Sequence, residues 1–235
     1  MLYLWHMNIH EKFPGSPSGK DSLPKESISR IFYLKDKRIP FVHQETPANC
    51  GPLAIANGLQ ALKNIQPKLR IPDSFAVSSA GIRKLLASDP DLKNTLHGFP
   101  NATDIAKDNY VLNTLHISNI LERLASETNI EITGNRFSLA GIPSNKVTDT
   151  IKNSDMLIRN KDFHYVSFAR LDEQDWVNLD SMATAPSIVS QQSLENDFQD
   201  VGKVHTIFMG LKVTDPQIII TPKARPEIII TKKKN

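Results

Sequence analysis

From Asn49 onward, the run NCGPLAIANGLQALKN carries apolar residues at Leu53, Ala56, Leu59 and Leu62. That spacing predicts a helix with one buried face. Pro52 suits its first turn, where the missing N–H costs nothing, so Cys50 is expected at a helix N-terminus. A second helix is expected around Ser79 to Ala87, and a third over Leu115 to Ala125 (LHISNILERLA). Beyond these the period shortens towards strand alternation, at Ile130 to Thr133, Met156 to Arg159, Tyr165 to Leu171, Trp176 to Leu179 and Thr206 to Val213. The polar DEQD at Asp172 to Asp175 reads as a hairpin turn, and Leu194 to Phe198 as a short helix.

The flanks are patterned differently. Residues 1–40 mix Pro, Gly, Ser and Lys around one short apolar patch, Ile31 to Leu34, and read as a partly disordered extension. The compact domain is expected over residues 41–213, with a tail over 214–235 in which IIIT occurs at Ile218 to Thr221 and again at Ile228 to Thr231. Two copies are too few for a solenoid, and these β-branched runs suit edge-strand or partner-pairing segments. Residues 68–110 have weak periodicity, and no role is assigned to them.

At 235 residues with 40% hydrophobic and 23% charged side chains, the chain can bury one core of useful size. A net charge of +3, part of it in Lys232 to Lys234, gives nucleic-acid binding little support. No run approaches the roughly 18 apolar residues of a bilayer span. The start MLYLWHMNIHEKF carries His, Glu and Lys where a signal peptide would be apolar. The expectation is a soluble, uncleaved monomer of the cytoplasm, either its own cell's or, for a bacterial effector, the host's. A single cysteine excludes an intramolecular disulfide and any multi-thiolate zinc site, which turns attention to Cys50 itself.

A cysteine attacks a carbonyl as thiolate, and a free thiol with a pKa of about 8.5 is mostly protonated at neutral pH. A helix N-terminus and an imidazolium partner both lower that value. Among seven histidines, His6, His10 and His97 lie in weakly patterned or loop segments, and His43 and His205 read as structural. His164 opens the strand HYVSFARL, whose alternate residues Val166 and Phe168 can anchor it. Asp180 follows the strand WVNL sixteen residues later, and a hairpin of that length returns the chain beside its start. Asp180, or Asn178 as the nearby alternative, would orient the imidazole. The Cys50 N–H and the Gln44 side-chain amide are the natural donors for an oxyanion.

Each of these residues also has a plainer reading. Cys50 would serve as a small buried residue, His164 as a hydrogen-bonded core or surface histidine, Asp180 as a turn cap and Gln44 as a polar loop residue.

Two segments carry a family resemblance. Q44-ETPAN-C50-GPLAIANGL resembles the Gln-to-Cys element of papain-like peptidases, C39 leader peptidases included. HYVSFARLDEQDWVNLDSMATAPSIVSQQSLENDF resembles the His-to-Asn/Asp element of Josephin-type deubiquitinase domains, and NYVLNTLHISNILERLASETNIEI is similar to the segment preceding it. The resemblance covers about residues 41–213. It implies an α+β papain-like fold, with a catalytic helix packed on an antiparallel sheet. Cys50 would be nucleophile, His164 general base and acid, Asp180 the orienting residue, Gln44 the oxyanion donor, and Trp176 structural support for the hairpin.

The implied substrate is the (iso)peptide bond after the Gly-Gly end of ubiquitin, cleaved without metal or organic cofactor. Three departures from the Josephin pattern stand out: a Gln-to-Cys gap one residue longer, Gly51 in place of the Ala of Ala-Gln-His, and Asp180 in place of Asn. They tilt the local motif towards C39 or papain-like relatives. A peptidase cutting after Gly-Gly, a transamidating enzyme and a non-catalytic ubiquitin- or partner-binding module therefore stay open.

Overall fold

The computed structural model describes residues 29–45, 47–72, 75–88, 112, 114–134, 144–161, 164–199 and 207–215. The IIIT repeat and residues 1–28 and 89–111 lie outside them, as do His6, His10, His97 and His205.

Helix α1 (Cys50–Ile65) follows a short 3-10 turn at Pro47–Asn49. It ends where the Gln66 N–H bonds the Leu62 carbonyl, just before Pro67. The sequence predicts one buried face, but the helix is buried at nearly every position. Leu59 and Leu62 belong to a core shared with α2 (Ser79–Ser88) and α3 (Thr114–Glu127), whereas Ala61 and Ile65 face a second apolar cluster. Gly58 allows the close approach, because a Cβ there would lie 2.1 Å from Met156 Cε. A mid-helix glycine costs about 0.5–1 kcal/mol relative to alanine, and here packing of the helix on the sheet offsets that cost.

Among the described residues that sheet has six strands, all neighbours antiparallel, in the order β3-β8-β4-β5-β6-β7. They are β3 (Ile130–Ile132), β4 (Met156–Lys161), β5 (His164–Arg170), β6 (Asp175–Leu179), β7 (Ser187–Ser190) and β8 (Ile207–Val213). Strand alternation sorts the side chains. Met156, Ile158, Tyr165 and Ala169 lie on the α1 side, and Leu157, Val166, Phe168 and Trp176 on the other. The second face is covered by α4 (Ser144–Asn153) and α5 (Gln191–Gln199) through Val147, Ile151, Leu194 and Phe198. Trp176, fully buried, carries the Arg170 guanidinium 4.3 Å from its ring centre. Arg170 in turn donates to the carbonyls of Ile151 (2.5 Å), Lys152 (3.1 Å) and Ser154 (2.8 Å). These bonds close the C-terminal end of α4 with a cation, the charge its unpaired carbonyls favour. The protein is thus a mixed α+β fold built on an antiparallel sheet.

A separate hairpin joins this body from the N-terminal side: β1 (Ser29–Leu34) pairs with β2 (Lys37–Val42). Its turn places Lys35 and Asp36 at positive φ, 45° and 63°. That geometry matches strand twist in a two-residue hairpin. Lys35 bridges to Asp172 (2.8 Å) in the β5–β6 turn and to Asp175 at the start of β6. Ile39 and Phe41 are buried against α1 and β6, with Phe32 and Leu34 beside them. The domain edge expected near residue 41 therefore falls inside β2. Only alternate residues of each short strand face the core, and the charged KDKR between them hides the pattern in the sequence.

If the hairpin is integral to the fold, Ile39→Ala lowers unfolding free energy by about 2–5 kcal/mol. Tyr33→Ala, on the exposed face, changes it by less than about 0.5 kcal/mol. Denaturant midpoints measured on both variants check the contrast.

Candidate active site

Four chain segments meet at the site: the end of β2, the start of α1, the start of β5 and the end of β6. The first two are joined by Asn57, a fully buried α1 side chain that accepts from the Val42 N–H and donates to the Val42 carbonyl, both at 3.0 Å. Its carboxamide takes the place of a neighbouring strand and registers β2 on the helix. In the sequence Asn57 is one polar residue within an apolar run, with no local signal of this role.

Two residues beyond Val42, Gln44 is tied to Ser181 twice. The Gln44 N–H donates to the Ser181 carbonyl (2.9 Å), and the Ser181 hydroxyl donates to Gln44 Oε1 (2.6 Å). Both residues are buried. The pairing turns the carbonyl end of the carboxamide towards Ser181 and the amide nitrogen away from it. Along the chain Ser181 carries no signal of this contact, because Asp-Ser is ordinary turn chemistry.

His164, at the first position of β5, is held by its strand, where Val166 and Phe168 are buried on the α4–α5 side. Its Nε2 meets Asp180 Oδ1 at 2.7 Å. Asp180 directly follows β6 and also accepts the Met182 N–H at 2.9 Å, so it caps its turn and orients the imidazole at once. Asn178 does not take this place, and among the described residues its buried Oδ1 has no hydrogen-bond donor. With Nε2 engaged, Nδ1 is the ring nitrogen left for the Cys50 sulfur, and the thiol and imidazole are hydrogen-bonded to each other. Cys50, His164 and Asp180 thus form one continuous chain, with Gln44 attached next to the acid.

The electrostatics follow from this contact. Burial is the largest single influence on Cys50, only 3% exposed, and by itself pushes the thiol up. The hydrogen bond and charge of His164, together with the backbone groups of Tyr165 and Gly51, outweigh it and leave the thiol below its ordinary range. On His164 the bond to Cys50 raises the pKa, Asp180 adds to the rise, and burial opposes both. Each partner favours the charged form of the other. The other described histidines differ. His43 is exposed, while His116 of α3 is pushed down to about 4 by burial and is neutral near pH 7.

Gly51 has a packing cause. A Cβ there would sit 3.1 Å from Ile117 Cδ1 and 3.5 Å from Tyr165 Cδ2, so the chain beside the sulfur has little room for a side chain. Among the described residues no group of three or more His, Cys, Asp or Glu is placed to hold a metal ion, and no helix is long and apolar enough to cross a membrane. No family model matches the chain, and no curated protein matches it either.

The alkylation rate of Cys50 by iodoacetamide is expected to rise as pH climbs through a thiol pKa below the ordinary range. In His164→Ala the favourable partner is gone and burial remains, so the inflection moves up and the rate near neutral pH falls by about tenfold or more. Ser181→Ala leaves the buried Gln44 carbonyl without its donor and lowers unfolding free energy by about 1–3 kcal/mol, read from denaturant titration.

Proposed function

We propose that the protein is a cysteine-type hydrolase of papain-like architecture, acting on the (iso)peptide bond that follows the Gly-Gly end of ubiquitin. The observation that carries the chemistry is the bonded chain from Cys50 through His164 to Asp180 at the N-terminus of a buried helix. Gln44 and Ser181 support it, because they present an amide donor from the acid's side of the triad. The ubiquitin assignment rests on the resemblance of the segment from His164 to Phe198 to Josephin domains. It is also supported by the recessed sulfur, since a nucleophile that is 3% exposed suits a slender glycine-rich substrate end.

In this reading the Cys50 thiolate attacks the carbonyl carbon of the terminal glycine. The oxyanion takes hydrogen bonds from the Cys50 N–H and the Gln44 amide. His164, protonated through its Nδ1, gives its proton to the departing amine as the C–N bond breaks and a thioester is left on Cys50. Neutral His164 then takes a proton from water, and the hydroxide displaces the thiolate to release the carboxylic acid. Asp180 holds the ring in position throughout and stabilises its charged form.

The longer Gln-to-Cys gap and Gly51 favour a second reading within the same chemistry: a peptidase that cuts after Gly-Gly without recognising ubiquitin as a whole. One set of measurements separates the two. An electrophile-tipped ubiquitin probe is expected to form an adduct with the parent protein and none with Cys50→Ala, and Gln44→Ala is expected to slow turnover by about 10²–10³. Cleavage of short Gly-Gly peptides without a ubiquitin adduct would select the second reading. Tight ubiquitin binding with neither adduct nor turnover would remove the hydrolase assignment.

A further inference from the structure

Four large apolar side chains are exposed among the described residues: Ile31 (45%), Tyr33 (73%), Met182 (60%) and Ile188 (43%). Three of them stand on segments bonded to the Gln44 corner of the site. Met182 follows Ser181, which bonds Gln44 twice, and its N–H is held by the Asp180 carboxylate. Ile31 and Tyr33 belong to β1, whose partner β2 runs on to Gln44 two residues beyond its end. In that hairpin Phe32, Leu34, Ile39 and Phe41 pack inward, and the Phe32 and Phe41 rings meet edge to face at 6.0 Å. Alternation then puts Ile31 and Tyr33 on the outer face, where their partners in register are Pro40 and Arg38. Two exposed apolar residues on one face with a proline across from one of them make a contiguous patch, and the core holds its backing still.

The distance from this patch to the site decides what can reach it. From Pro40 four residues lead to Gln44, and from Arg38 six. Taken as extended chain at about 3.3 Å per residue, these are roughly 13 Å and 20 Å. A substrate tail advances by the same rise, so a Gly-Gly end alone, at about 7 Å, stops short of the face. A tail of about four to six residues brings the body that carries it onto the face.

We propose that the outer face of the β1–β2 hairpin, centred on Ile31 and Tyr33, is the docking surface for the folded body of the substrate, a protein with apolar surface about four to six extended residues from the scissile bond. The inference rests on the reading of the substrate as a protein with a Gly-Gly tail, and it adds where the body of that protein sits. Tyr33 is the anchor, because a tyrosine gives large contact area and a polar tip with few rotors to fix. Among the described residues β1 is also the open edge of a two-stranded sheet, so a second copy of this chain is the competing occupant. Continuity with the site favours the substrate: the strand that forms half of the face leads directly to the oxyanion donor.

The test compares second-order capture rates of two electrophiles by the full chain: ubiquitin carrying an electrophilic tip, and a short Gly-Gly peptide with the same tip. The parent captures the ubiquitin probe faster than the peptide. Tyr33→Ala and Ile31→Ser remove side chains that lie outside the core, so both keep the parental denaturant midpoint. Each is expected to lower ubiquitin capture about five- to thirtyfold and to leave peptide capture and Cys50 alkylation within about twofold. Tyr33→Phe keeps most of the parental rate. Unchanged ubiquitin capture in both folded variants would overturn the proposal and leave the hydrolase reading intact. An equal loss on both probes would overturn it too, since the hairpin would then act through the catalytic groups. A parent that is dimeric by light scattering and becomes monomeric in Tyr33→Ala would assign the face to a second copy instead. Failure of the parent to capture ubiquitin at all would remove the substrate reading itself, and the docking face with it.

Discussion

Burial of α1 on nearly every side governs how the site is assembled. Such a helix leaves its one polar core side chain, Asn57, no solvent partner, and an unpaired buried amide is costly. Asn57 therefore takes both backbone groups of Val42, and this fixes the end of β2 on the helix. Gln44 is then in place to pair with Ser181, Ser181 is the neighbour of Asp180, and Asp180 holds His164. The imidazole faces Cys50, which opens the same helix. The contacts close a circuit, so no member of the constellation is placed by its own segment alone.

Placing a thiol in that circuit sets two tendencies against each other. The packing that holds Cys50 still also removes water, which disfavours the charged sulfur. The imidazole, the adjacent N–H groups and the start of the helix supply the compensating charge and donors, and together they outweigh burial, so the thiol lies below its ordinary range. Asp180 lies at the edge, partly exposed, and its carboxylate is shared between the imidazole and the Met182 N–H. Gly51 and Pro52 serve the same arrangement. One lets Ile117, Tyr165 and Leu112 pack closely against the residue after the nucleophile, and the other enters the first turn of the helix, where a proline's missing N–H costs little.

Much of the fold is legible along the chain. The spacing of Leu53, Ala56, Leu59 and Leu62 marks α1, and alternation marks β4, β5, β6 and β8, because amphipathic elements must sort their side chains by face. The same logic misses what lacks that contrast. The β1–β2 hairpin shows only alternate core residues broken by a charged turn, α4 has few apolar positions, and β7 has one partly buried side chain, Val189. Within the site, Cys50, His164, Asp180 and Gln44 are visible because their residue types and spacings carry chemical meaning before any contact is known. Asn57 and Ser181 are not, since each is an ordinary polar residue whose role consists wholly of a long-range partner.

Read along the chain alone, the residues specify most of the helices and strands, the lone thiol at the head of a helix, and the histidine and carboxylates able to serve it. These follow from periodicity and from the intrinsic chemistry of side chains, both properties of neighbouring residues. Three-dimensional packing was needed to select Asp180 over Asn178 as the partner of the imidazole, to join the hairpin to the body, and to set α2 against the turn before Cys50. Those outcomes depend on which buried polar groups find one another across distant parts of the chain, and desolvation settles that competition only when the whole core closes.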